Sequence, residues 1–145
     1  MIDYLQKFRL DEKMAFVVGG VGLIGHEVST ALAPAGADTV ILDLEQEKGE
    51  ALADELSATG LKVSFRVFDC ADMKNLELNF SNLQNEFGSP DVFINCSYPR
   101  TDDWGNNSFR EATLESFREN VDMHMNSHAW LARLAAESMK AEGRS

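Results

Sequence analysis

The stretch FVVGGVGLIGHE, residues 16–27, sets Gly19, Gly22 and Gly25 three residues apart, directly behind an apolar run. Glycines spaced this way, where a strand turns into a helix, let the backbone approach a pyrophosphate. One makes the positive-φ turn, one leaves room for the phosphates, and one lets the helix pack closely. The first helical turn, Gly22 with Leu23 and Ile24, adds unpaired N–H groups and the positive end of the helix dipole. The spacing is G-x-x-G-x-x-G and no Lys-Ser/Thr follows, so this is not a triphosphate-binding P-loop. Asp43 lies 18 residues beyond Gly25, at the end of the next apolar run. A carboxylate there can accept hydrogen bonds from both hydroxyls of an adenosine ribose and repels a 2′-phosphate. The pattern predicts a dinucleotide cofactor, NAD(H) in preference to NADP(H). The competing readings are glycines that serve packing alone and an Asp43 that caps the helix beginning near Glu45.

Other residues could do chemistry. In SYPRTDDWGNN, residues 97–107, Arg100 could pair with a carboxylate or phosphate, and Tyr98 and Trp104 could face a small-molecule substrate, Trp104 stacking on a sugar face. An ordered surface loop with a local Arg–Asp pair accounts for the same residues. His124 and His128 are four apart and share a helix face, but the Glu of H-E-x-x-H is missing and no third ligand is evident, so no metal is expected. Cys70 and Cys96 lack metal-ligand spacing and read as buried, reduced thiols.

The elements that must position these groups follow from hydrophobic periodicity. Met14–Val18, Thr39–Leu42, Lys62–Phe68 and Asp91–Asn95 read as strands. Between them, Gly22 to about Ala33, Glu45–Thr59 and Met73–Phe87 read as helices, stopped by Pro34, Gly60 and Gly88. Residues 96–112 read as a polar loop. One long helix is expected from Thr113 to about Lys140, with Leu114, Phe117, Val121, Met125, Leu131, Leu134 and Met139 along one stripe. Strands alternating with helices imply a parallel sheet covered on both faces, a Rossmann-type doubly wound α/β fold with strand order 3-2-1-4 for what is present. Residues 1–13 are a polar lead-in, and residues 14–145 form the dinucleotide-binding domain.

In these features the chain resembles the short-chain dehydrogenase/reductase family, from about Lys13 to Met139. VGGVGLIG resembles that family's Thr-Gly-rich tract in the spacing of its extended members, with Val18 where the family usually has Thr. Asp69, with Cys70 beside it in VFDCAD, matches the acidic position that contacts the adenine amino group. INCSY matches the family's Asn-Asn-Ala-Gly, of which Asn95 survives. In VDMHMNSHAW, the resemblance puts His124 where the family carries an Asn that helps hold a water of the proton relay, with Asn126 two residues on. The loop around Arg100 resembles dehydrogenases of bacterial surface-glycan or flagellin sugar biosynthesis. The resemblance implies hydride transfer at an alcohol or carbonyl, in a parent protein that forms dimers or tetramers through the long helix and the helix after it.

The family's acid/base pair is a Tyr with a Lys four residues later. The only tyrosines here are Tyr4 and Tyr98, followed at that distance by Phe8 and Asp102. The chain thus reads as the cofactor-binding half of a dehydrogenase, truncated before the catalytic segment, inactive alone and marginally stable, with a sheet edge open at the fourth strand. Alternatives are a non-catalytic dinucleotide-binding or regulatory module, and a methyltransferase, which shares a glycine loop and an acidic strand end.

The totals exclude some classes. A net charge of −11 argues against a nucleic-acid or anionic-membrane binder. No apolar run approaches the ~20 residues of a membrane span. The start, MIDYLQKFRLDEK, has no signal-peptide core, so a cytoplasmic protein is expected.

Overall fold

The computed structural model describes residues 4–105, 108 and 110–144. Asn106 and Asn107, at the end of the loop singled out above, lie outside the described residues.

A short 3-10 helix, Tyr4–Phe8, precedes β1, Met14–Val18. Then come α1 (Leu23–Leu32), β2 (Asp38–Asp43), α2 (Gln46–Ala58), β3 (Val63–Val67), α3 (Leu76–Phe87) and β4 (Val92–Asn95). The four strands form one parallel sheet in the order β3-β2-β1-β4, as expected. Right-handed crossovers that step outward from β1 through β2 to β3 put α1 and α2 on one face. The step back from β3 to β4 puts α3 on the other.

The strands are apolar throughout because both faces are covered. Phe16, Val18, Val40 and Leu42 pack with Leu76, Phe80, Leu83 and Leu131 on the α3 side, while Ile41 and Phe65 pack with Leu52, Ala53 and Leu56 of α2. Phe16 meets Phe80 and Phe87 edge-on at 6.3 Å, a favoured aromatic geometry. At the opposite end of the sheet, Asp91 accepts the Met14 N–H at 2.9 Å and pairs with Lys13 at 3.2 Å and Arg144 at 2.6 Å, tying the start of β1 to the segment that follows the last helix.

The long helix departs from the single-stripe expectation. It is α4, Leu114–Val121, then a π-helical turn, Asp122–Asn126, then α5, Ser127–Ala141. Ser127 Oγ donates to the Met123 carbonyl, and His128 Nδ1 donates to the His124 carbonyl at 2.6 Å, so side chains satisfy carbonyls of the widened turn. A wide turn shifts the helical register, and the stripe divides there. Leu131 is fully buried, whereas Leu114, Phe117 and Met125 keep 60–64% of their surface exposed. The start of α3 is also later than the periodicity implies, at Leu76. Asn75 holds Asp72 through its side-chain amide at 2.8 Å, in a turn that contains Met73.

Candidate functional site

The carboxyl ends of β1, β2 and β4 open onto a cleft of about 860 Å³, in the upper part of the ~300–1,000 Å³ range of ligand pockets. Its floor is the glycine turn. Gly19 has φ +72°, and its N–H donates to the Leu42 carbonyl at 2.7 Å. A Cβ there would lie 2.6 Å from the Ser97 backbone. Gly25 is buried behind the turn, where a Cβ would stand 1.9 Å from the Gly19 carbonyl oxygen. Gly22 differs, since its Cβ would meet only that oxygen, at 3.3 Å. It lines the cleft and begins α1 with no side-chain cap; its own N–H is not unpaired as expected, since the tight turn lets it donate to the Gly19 carbonyl at 3.2 Å, and the first-turn N–H groups that follow it lack an intrahelical partner. Leu23 and Ile24 line the same end, their side chains largely exposed. Backbone donors beside an open glycine face are what a pyrophosphate requires, and the residues present fit a dinucleotide.

Sequence reasoning missed two residues here. Ser29, fully buried on α1, donates its hydroxyl to the Gly20 carbonyl at 3.3 Å. It ties the loop down in a chain with Val18 rather than Thr at the strand end. A Cβ on Gly20 would come within 2.8 Å of Ile41, so this glycine too is required by packing. Ser29 looks like any small helical residue, and only Gly20 carried a signal.

Asp43 stands on the adjacent wall. Its carboxylate accepts from Leu44 N–H at 2.8 Å, Val21 N–H at 3.2 Å and Glu45 N–H at 3.3 Å. The cap-like role and the cleft-lining position therefore coexist, and Asp43 also anchors the glycine loop through Val21. α2 itself begins without a side-chain cap, at Glu45. Glu45 and Asp69 line the cleft as well, as does the cationic Arg100. Asp69 accepts the Ala71 N–H at 2.8 Å.

Cys70 is buried, as expected, whereas Cys96 is only half-buried, and both line the cleft. Burial pushes the Cys70 thiol up, against a contact from Ser97 that lowers it and with Asp69 and Asp43 adding to the rise. Burial also raises Cys96. Asn95 lies behind the cleft rather than in it. Its Oδ1 accepts from Ser97 N–H at 3.0 Å and Ser97 Oγ at 2.6 Å, so it shapes the wall that Gly19 packs against.

At the other end, Tyr98, Pro99 and Arg100 line the cleft with Met123. Tyr98 packs edge-on against His124 at 4.3 Å between ring centroids, and Trp104 lies 6.4 Å from Tyr98. The π-helical turn thus delivers His124 to the loop. His128 is 6.0 Å from His124, with Nδ1 committed to a carbonyl. Asn126 does not join them. It donates to Asp122 at 2.7 Å and lines an outer groove with Leu114 and Phe117. Arg100 has no ion-pair partner among the described residues, so the local Arg–Asp pair of the alternative reading does not form there. Among the described residues no helix is long and apolar enough to cross a membrane.

Comparison with known proteins agrees with this geometry. A family model for short chain dehydrogenases matches residues 13–145. A 7alpha-hydroxysteroid dehydrogenase of Bacteroides fragilis is 25% identical over 138 residues, covering 93% of this chain and 52% of the relative. The post-translational flagellin modification protein A of Campylobacter coli is 26% identical over 118 residues, covering 80% and 46%. A gluconate 5-dehydrogenase from Burkholderia cenocepacia, solved in complex with NADP and tartrate, superposes with a TM-score of 0.81 at 24% identity, over 97% of this chain and 54% of that one. The chain spans about half the length of the curated relatives it matches. The glycine turn, the 3-2-1-4 sheet and the match across residues 13–145 lead to one conclusion: the chain belongs to the short-chain dehydrogenase/reductase family.

Proposed function

We propose that residues 14–145 form the cofactor-binding portion of an NAD(H)-dependent oxidoreductase that moves a hydride at an alcohol or carbonyl of a small polyhydroxy substrate. The observation that carries this reading is the cleft itself, which the open face of Gly22, the first turn of α1 and Asp43 line together. When bound, the nicotinamide supplies the hydride chemistry. The chain's own residues do the rest. The free backbone donors Leu23 and Ile24 would hold the pyrophosphate beside the open face of Gly22, and Asp69 with the Cys70 segment borders the adenine. Asp43, with Glu45 beside it, receives the ribose hydroxyls and disfavours a 2′-phosphate.

On the substrate side, Tyr98 and Trp104 offer ring surfaces and Arg100 a cation with no ion-pair partner among the described residues. The resemblance puts His124 at the helix position of the family's relay Asn, and its ring packs on Tyr98. The 145 residues hold no Tyr-x-x-x-Lys pair, and the chain alone is proposed to be inactive. The parent protein is proposed to be a cytoplasmic homo-oligomer, and the exposed Leu114 and Phe117 of α4 support a partner surface there.

The test is a fluorescence titration with NADH and with NADPH, on the wild-type chain and on Asp43→Ser. The reading expects wild type to bind NADH at least about 10-fold tighter than NADPH, a gap of ~1.4 kcal/mol, and Asp43→Ser to narrow the gap. Equal affinities in wild type would defeat the cofactor assignment.

A further inference from the structure

The loop that carries Tyr98, Arg100 and Trp104 is held by one buried amide. Asn120 is 8% exposed and is the buried residue of α4. Its Oδ1 accepts the Thr101 N–H at 3.1 Å. Its Nδ2 donates to Thr101 Oγ1 at 2.6 Å and to the Ser116 carbonyl at 2.9 Å. The Thr101 and Ser116 hydroxyls donate in turn to Asp103 Oδ1, at 2.6 and 2.8 Å. The two hydroxyls therefore have lone pairs free to accept from Asn120, and the network is satisfied in both directions.

This arrangement reverses what burial alone would select. α4 exposes Leu114 and Phe117 and buries an amide. A paired buried amide adds little net stability, but it fixes geometry, because each donor and acceptor admits one pose. Thr101 is held at both its N–H and its hydroxyl, directly after Arg100 and three residues past Tyr98. Asp103, the next anchor, precedes Trp104. We propose that Asn120 is a positioning residue: by fixing Thr101 it sets the pose of Tyr98, Arg100 and Trp104 at the substrate end of the cleft. This rests on reading that loop as the substrate-facing wall.

The test needs no substrate. Trp130→Phe leaves Trp104 as the sole indole of the chain. In that background Asn120→Ala should raise acrylamide quenching of Trp104 by about twofold, because the ring now keeps 48% of its surface. Thr101→Val should give a similar rise, and the double variant no more than either, since both cut one network. NADH affinity should stay within about twofold, the glycine tract being untouched. Unchanged Trp104 quenching in both variants, or fully additive effects, would overturn the proposal. So would an NADH affinity that falls in step with thermal stability, which marks a general structural role. If Asn120→Ala does not fold, Thr101→Val alone decides between these outcomes. A wild-type chain that binds no NADH yet shows the Trp104 response would sink the dinucleotide reading and leave the hold on the loop standing.

Discussion

The same substitution at two glycines three residues apart should do opposite things. At Gly25 a methyl group would stand 1.9 Å from the Gly19 oxygen and 2.8 Å from the Gly19 carbon and Gly20 Cα, all backbone. The turn cannot yield cheaply, because Gly19 is hydrogen-bonded to Leu42 and a Cβ built on it would already crowd the Ser97 backbone at 2.6 Å. Overpacking costs about 1–3 kcal/mol, a broken turn hydrogen bond costs about 1 more, and the helix propensity of alanine returns about 1. Gly25→Ala should therefore lose about 2 kcal/mol net, and at about 4 °C per kcal/mol its melting midpoint should fall by roughly 8 °C. At Gly22 the methyl group would meet one oxygen at 3.3 Å. An alanine at that cap position costs less than about 1 kcal/mol, so melting should move by no more than about 4 °C. The methyl would occupy phosphate space instead, and NADH affinity should drop at least about 10-fold, ~1.4 kcal/mol. Circular dichroism melts and NADH titration of both variants decide the matter. A Gly22→Ala chain that binds NADH like wild type, or a Gly25→Ala chain that melts like wild type, would refute the assignment of roles within the tract.

Three further outcomes follow from the same geometry. Glu12 sits at φ +63°, a left-handed conformation that costs a side chain about 1–2 kcal/mol. Replacing it with glycine should stabilise the fold by about 0.5–1 kcal/mol after the entropy of glycine is counted, visible as a rise of a few degrees in the melt. Burial alone would raise the Asp91 carboxyl, but the Met14 N–H, Lys13 and Arg144 outweigh it and hold the group below the usual carboxylate range. A depressed folded-state value means that this stabilisation is complete above the ordinary carboxylate range. It is lost as pH falls through the folded value, so urea midpoints should drop in acid for wild type and less for Asp91→Asn. Cys96 should react with a thiol reagent faster than buried Cys70, both slowly at neutral pH and faster as pH rises, and NADH should protect both.

Much of this was legible in the sequence for identifiable reasons. Pro34, Gly60 and Gly88 punctuate the helices sharply, so α1, α2 and the end of α3 fall within a residue or two of the periodicity. The β1 run is apolar at every position because both sheet faces are covered, and its bounds match residue for residue. The glycine spacing gave the turn at Gly19 and the close approach at Gly25. The π-helical turn was not legible, because side-chain bonds from Ser127 and His128 to carbonyls leave no periodic mark. That turn divides the apolar stripe and brings His124 to Tyr98. Asn120 was hidden for a related reason: a buried amide in a polar helix segment looks like an exposed one until its partners on the loop are known. The place of Asn95 in INCSY implies a backbone contact to cofactor, and the sequence does not show what its side chain does, which is to accept from Ser97 behind the cleft wall.

The most direct test of the central claim is an amide-resolved NMR titration of the 15N-labelled chain with NADH. The account predicts that shifts concentrate at Gly19, Gly22, Leu23 and Ile24, with Asp43, Asp69 and Ser97 following and the outer groove at Leu114 and Phe117 silent. An absence of shifts, or shifts confined to α4 and the outer groove, would contradict it.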